Sequence, residues 1–372
     1  MTNDSAEKDT EFLLESRKAV LRQEYCAAKR GKLLWLLGFL ILLVVLLLTG
    51  LSIGGASFDM AESWNALVTG FFAPEEAMTL QQRIIWQLRV PRVLMAIVGG
   101  IGLSLSGLVM QTILRNPLAS PYTLGISSAA SFGAAISIVL GLGTLPVFSG
   151  VIPSTYIIAF NAFLCSTICT FIIYGLSRTQ RITAETIVLF GVAANFLFSA
   201  ATSFLQYIGT EEQLAELVYW MFGSLSKATW GKLKLVTVTT LLTAAFLYTK
   251  AWDYNALLLG DESAGSLGIN VERVRIIGML LASFVTAVIV SLLGPIGFIG
   301  LVAPHLARIL IGSDHRYLIP ATVLLGACLL VAADVLSCVI LSPVVVPVGI
   351  VTSFVGVPHL IYLVTRRQSE NW

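Results

Sequence analysis

Arg89-Val90-Pro91-Arg92 sets two guanidiniums around a proline at the head of a long apolar run. Arginine suits bidentate capture of carboxylates, so the chemistry open to this pair is recognition of acidic side chains on another protein. Pro91 stiffens the approach and limits where both guanidiniums point. The alternative is that each arginine reaches lipid headgroups along its own aliphatic stem. Asp334 lies within an apolar run and Glu185 at the edge of one. An acid at membrane depth is a functional candidate, with a helix-end hydrogen bond as the plain alternative. Gly297, Gly300 and Pro304 interrupt the apolar stretch Gly294–Arg316. Irregular backbone at membrane depth is tolerated only where protein or a water-filled cavity surrounds it. Gly297, Gly300, Pro304 and Asp334 are therefore candidates for a pathway wall or hinge.

Trp252–Arg275 reads WDYNALLLGDESAGSLGINVERVR. Leu259-Gly260 and Leu267-Gly268 bracket a short polar stretch that opens Asp261, Glu262, Ser263, Ala264. That leaves room for one or two short helices, with glycine as breaker or cap, able to press into a groove on another protein. An ordinary structured loop is the alternative.

Other chemistry is missing. The chain has no G-x-x-x-x-G-K-[ST], so it holds no P-loop for nucleotide, and it has neither G-x-S-x-G nor H-E-x-x-H. His305, His315 and His359 stand far apart in sequence. A haem-ligating redox subunit wants paired histidines inside its spans, which this spacing does not offer. Cys26, Cys165, Cys169, Cys328 and Cys338 lack metal-type spacing, and Cys165 and Cys169 share one apolar helix face as packing residues. No catalytic residue, metal ligand or cofactor is expected in this chain.

The elements that position these residues are apolar runs. Only 12% of the 372 residues are charged, against about 25% in soluble domains. With a mean hydropathy of +0.87 the chain reads as an all-α polytopic membrane protein. A net charge of +2 gives no support to a nucleic-acid partner. Ten spans are expected, at about 33–52, 93–113, 127–144, 153–176, 184–207, 233–250, 274–293, 297–311, 317–337 and 346–365. Residues 1–32 form a polar lead-in, 33–367 the ten-helix domain with the loop 252–275 inside it, and 368–372 a tail. Lys29, Arg30, Lys32, Arg115, Arg178, Arg181, Lys250, Arg273, Arg275, Arg308, Arg316, Arg366 and Arg367 crowd one side of this topology. The positive-inside rule then places both termini in the cytoplasm, with Arg89 and Arg92 outside, against the charge trend.

Several stretches together resemble the permease subunits of type II ABC importers, the FecCD-like family that carries iron–siderophore complexes, haem or cobalamin. They are R-V-P-R at 89–92, S-G-L-V-M-Q at 106–111, R-N-P-L-A-S-P at 115–121 and L-G-x-x-S-A-x-x-L-G at 259–268. They continue with G-x-I-G-F-I-G-L-V-A-P-H-L-A-R at 294–308, D-H-R at 314–316, A-A-D at 332–334 and P-V-G-I-V-T at 347–352. The resemblance covers about residues 40 to 367 and depends on order and spacing. It implies a second permease subunit, as homodimer or heterodimer, and two cytoplasmic ATPases that supply the ATP and Mg site. It also implies a periplasmic or lipid-anchored substrate-binding protein and a metal-chelate substrate, with ferric siderophore first and haem or cobalamin next. The setting implied is a bacterial inner membrane. Arg89 and Arg92 would pair with acids of the binding protein, and residues 259–268 would dock on the ATPase. The sequence departs from the family at Cys338, where an arginine is usual, at Val345, where an acid is usual, and at His359, where an aromatic is usual. The alternatives are an ion- or proton-coupled secondary transporter and a non-transport membrane subunit of an energy-converting complex.

Overall fold

In lipid, a chain must satisfy its backbone polar groups internally, which leaves helices or a closed barrel. The computed structural model describes residues 29–53, 60–72, 78–141, 153–179 and 184–366, and their regular structure is entirely helical. The helices are α1 (Lys29–Ser52), α2 (Met60–Phe72), α3 (Leu80–Ile113), α4 (Ile126–Val139), α5 (Ser154–Thr179), α6 (Ala184–Ile208) and α7 (Glu211–Met221). There follow α8 (Trp230–Thr249), α9 (Ala251–Leu257), α10 (Asp261–Ser266), α11 (Val271–Leu293), α12 (Ile299–Ile311), α13 (His315–Val339) and α14 (Val348–Arg366). Among the described residues, α1, α3, α5, α6, α8, α11 and α13 are long and apolar enough to cross a membrane. Helices α4, α12 and α14 are apolar but shorter. These ten fall on the ten apolar runs expected from the sequence. Most of the lead-in (1–28) and the tail lie outside the described residues.

Helices α3 and α13 run antiparallel through the middle of the molecule. Their contact is close because glycines face each other: a methyl on Gly100 would strike the carbonyl oxygen of Gly326. Gly107 makes the same approach to the backbone of Gly300 in α12. Small residues let helix backbones meet where lipid offers no hydrophobic drive for helix association. Helix α1 lies at the rim, with much of its surface open to the surroundings.

One boundary differs from expectation. The sequence places the start of the second span near residue 93, because Arg89, Pro91 and Arg92 look like a helix mouth. The helix begins at Leu80 instead. Its turn Ile84–Arg89 is π-helical, with the Val90 N–H reaching back to the Ile85 carbonyl. The α-helical segment restarts at Val90, so Pro91 falls in a first turn, where no backbone donor is needed. Both arginines therefore stand inside a continuous helix. Helices α2 and α7 were not expected. Thr210 and Gln213 close a capping box on α7, a local signal that the span-length search passed over.

The break between α11 and α12 is real. Gly294 has φ +81° and Phe298 has φ +68°, and the residues between them are not helical. Tyr122, in the turn Pro121–Leu124, fills part of the deficit. Its hydroxyl donates to the Ile296 carbonyl at 2.6 Å and accepts the Ile296 N–H at 2.9 Å.

Gly100→Val should overpack the α3–α13 contact, at a cost of about 1–3 kcal/mol. Thermal unfolding of the detergent-solubilised protein should show a clear drop in Tm. Gly38→Ala, where no atom lies within 4 Å of the added methyl, should leave it unchanged.

Candidate functional site

Polar groups sit at the two ends of the α-helical segment Val90–Ile113 of α3. At the first end Arg92 meets Asp334 of α13. Its Nε lies 2.9 Å and 3.0 Å from the two carboxylate oxygens, and its Nη2 lies 2.7 Å from one of them. Nη2 also donates to Ser337 Oγ and Nη1 to Ser226 Oγ, each at 3.3 Å. Asp334 is 4% exposed, so this is a fork-to-carboxylate pair taken out of water. Arg89 turns the other way. Its Nη1 donates to the Leu51 and Ser52 carbonyls at 2.7 Å and 2.8 Å, satisfying the end of α1. The two sequence-selected arginines thus face different partners, and both have partners within the chain.

At the second end Arg115, just past α3, holds a positive φ of 45°. Its Nη2 donates to the Leu257 carbonyl at 2.9 Å and lies 2.8 Å from Asp261 Oδ1. Arg275 of α11 reaches the same carboxylate at 3.2 Å while its Nε donates to the Ile113 carbonyl at 2.9 Å. Asp261 opens α10, so the six-residue helix is clamped by α3 and α11 together. Ala264 is buried beneath it, whereas Leu259 and Leu267 are 68% and 65% exposed on either side. Gly260 and Gly268 hold φ of +115° and +82°, where a side chain would be strained. Glu262 and Ser263 lie exposed within the first turn of α10.

Behind α10 sits a second network. The Asn255 side-chain oxygen accepts the His315 backbone N–H at 2.8 Å and lies 2.9 Å from His315 Nδ1. His315 Nε2 lies 2.9 Å from the Thr112 hydroxyl oxygen, and that hydroxyl donates to the Leu108 carbonyl at 2.9 Å. Asn255 Nδ2 donates to Asp314, and the Arg316 guanidinium beside Asp314 holds that carboxyl well below the usual carboxylate range. Arg316 also lies over the Trp252 ring, 4.4 Å from its centroid.

The four pathway or hinge candidates separate. Gly297 borders a cavity of about 660 Å³ between the α11–α12 break, α14 and Tyr122. Gly300 is a packing contact against Leu103 and Gly107. Pro304 is buried inside α12, and Asp334 is the partner of Arg92. Two histidines that the sequence sets far apart do meet: the rings of His305 and His359 lie 5.4 Å apart. Sequence reasoning missed the Arg115–Asp261–Arg275 clamp, since Arg115 and Arg275 served there only as topology markers. Among the described residues no group of three or more histidine, cysteine or acidic side chains could hold a metal.

Among the described residues, ten apolar helices with a polar tie at each end of the central pair define a polytopic membrane protein. The chain belongs to the FecCD transport family, whose model matches residues 42–366. A permease protein of an ABC transporter from Methanocaldococcus jannaschii is 41% identical over 346 residues, covering 92% of this chain and 97% of the relative. The hemin transport system permease protein of Yersinia pestis is 38% identical over 337 residues, 90% of this chain and 96% of that one. A solved metal-chelate type ABC transporter in an inward-facing conformation superposes with a TM-score of 0.76 at 32% identity, covering 89% of this chain and 98% of that one.

Removing one partner of a buried ion pair leaves the other charge uncompensated, at a cost of about 3–5 kcal/mol. Asp334→Ala should therefore lower Tm strongly. The double variant Arg92→Met with Asp334→Leu should recover most of the loss. Asp261→Asn should cost no more than about 1 kcal/mol, because the Asp261 side chain is 47% exposed. Comparing the three unfolding curves checks the ranking.

Proposed function

We propose that this chain is the membrane-spanning permease subunit of an ABC importer for a metal chelate, working with a second permease and two ATPases. The observation that carries it is the build of α3. One helix bears Arg89 and Arg92 at one end and, just past the other, Arg115, which grips α10. Its α-helical segment Val90–Ile113 has 24 residues, roughly 36 Å at 1.5 Å per residue, enough to cross the hydrocarbon core. An event at one membrane face can be passed along it to the other as rigid-body motion.

In this reading the Arg115 end is cytoplasmic, as are both termini, and the Arg92 end faces out. Leu259 and Leu267 offer apolar contact to a groove on the ATPase, while Asp261 fixes how α10 is presented. ATP and Mg are held by the ATPase, and its closure moves α10 with α3 and α11. Outside, a binding protein docks through its acids. Arg92 suits that role better than Arg89, because its Nη1 holds Ser226 and not the carboxylate of Asp334. A docking carboxylate can take that edge while the Asp334 pair survives. Arg89 fastens α1 to α3. A bulky chelate as cargo agrees with the hemin relative and with the metal-chelate structure; ferric siderophore, haem and cobalamin are the classes to test, in a bacterial inner membrane. The chain itself does no covalent chemistry.

The test is uptake by the complete transporter in proteoliposomes. Uptake should require ATP inside and survive collapse of the proton gradient; the opposite pattern would identify a gradient-driven carrier. Arg92→Lys, which keeps a cation against Asp334 but loses the Nη1 edge, should weaken binding-protein docking by roughly tenfold or more, the scale of a lost charge-assisted contact. ATPase assembly should persist, and unchanged docking would remove Arg92 from the site. Asp261→Asn with Leu259→Ser should let ATP hydrolysis continue while uptake falls, and full uptake in that variant would remove α10 from the coupling role.

A further inference from the structure

His305 of α12 and His359 of α14 are 54 positions apart in the chain, yet their rings meet edge to face with centroids 5.4 Å apart and planes at 64°. Both residues are half-buried. Nε2 of His359 is buried with no hydrogen-bond partner among the described residues. A buried polar atom left unpaired is costly, more so at membrane depth, and calls for a partner. The other intramembrane polar groups described above are spent: Arg92 on Asp334, Tyr122 on Ile296, His315 on Thr112 and Asn255. Six buried side-chain atoms among the described residues have no partner, on Ser63, Gln111, Thr240, Ser283, Thr322 and His359, and His359 Nε2 is the one with a metal-ligating lone pair.

The spacing fits one ligand class. An imidazole nitrogen sits about 2.0–2.1 Å from a bound zinc-like ion, and two such rings at a tetrahedral angle place their centroids roughly 5–6 Å apart. The observed separation of 5.4 Å falls in that range. Imidazole nitrogens select zinc, copper, nickel and iron over magnesium or calcium, which take oxygen ligands.

We propose that His305 and His359 form a two-imidazole site for a divalent first-row transition-metal ion, which on binding staples α12 to α14. The site lies apart from the Arg92–Asp334 pair and from the α10 clamp.

The experiment uses the full-length permease in lipid nanodiscs, purified without a histidine tag, with no ATPase, nucleotide or cargo. Its outcome is thus separate from that of the transport reading. Zn²⁺ binding is followed by calorimetry and Co²⁺ binding by visible absorption. The wild type should bind one ion per chain and show a Co²⁺ spectrum with nitrogen ligands. His359→Phe and His305→Gln should each weaken binding by roughly tenfold or more, since loss of an outer-shell partner alone costs 10–100-fold. His359→Cys, which replaces one ligand by another, should retain binding and shift the Co²⁺ spectrum toward sulfur ligation. Should His359→Phe fail to fold, His305→Gln and His359→Cys carry the comparison. Absence of binding in the wild type overturns the site. So does binding that His305→Gln and His359→Phe leave unchanged, which would mean an adventitious ion only.

Discussion

The pairing of α3 with α13 is the constraint on which the rest of the molecule depends. It is tied by polar groups at both ends, Arg92 to Asp334 and Thr112 to His315, and closed by glycine in between. From Arg92 to Thr112 is 20 residues, roughly 30 Å of helix, the thickness of a hydrocarbon core. Polar contacts thus sit where water or headgroups begin, and the lipid-depth contact is backbone against backbone. Neither tie alone would fix the register. The ion pair is costly to bury, and glycine contacts alone do not specify which turn meets which. Together they leave one arrangement.

Around this pair the other elements hang as attachments. Arg89 fastens α1, Gly107 admits α12, and Arg115 with Arg275 fixes α10 through a single carboxylate. Each fastening uses a long basic side chain or the absence of a side chain. In an interior made mostly of Leu, Val, Ile and Ala, these are the residues that can choose a partner. The α11–α12 break is the exception to rigid packing. There the N–H and carbonyl of Ile296 are both satisfied by the Tyr122 hydroxyl rather than by a helical ladder.

Much of the fold was legible in the sequence because a membrane span is a local property. Run length and composition gave the positions of the ten apolar helices within a few residues. The start of α3 misled, since Arg89, Pro91 and Arg92 look like a terminus to any rule that counts charges. A π-helical turn places the proline where its missing N–H does no harm, and no composition rule sees that. The importance of Arg92 was legible; its partner was not. Asp334 stands 242 positions away and in sequence reads as a lone acid.

By itself, then, the sequence determined the all-helical membrane class, the spans and the family-like order of its motifs. All of these follow from local runs and spacings. Only the tertiary structure decided which charges neutralise one another, that Asp261 serves two arginines, that Arg89 holds α1, and that His305 and His359 meet. The physical reason is one of range. Hydrophobicity and backbone satisfaction act residue by residue along the chain, whereas an ion pair or a shared ligand depends on which helix faces pack together.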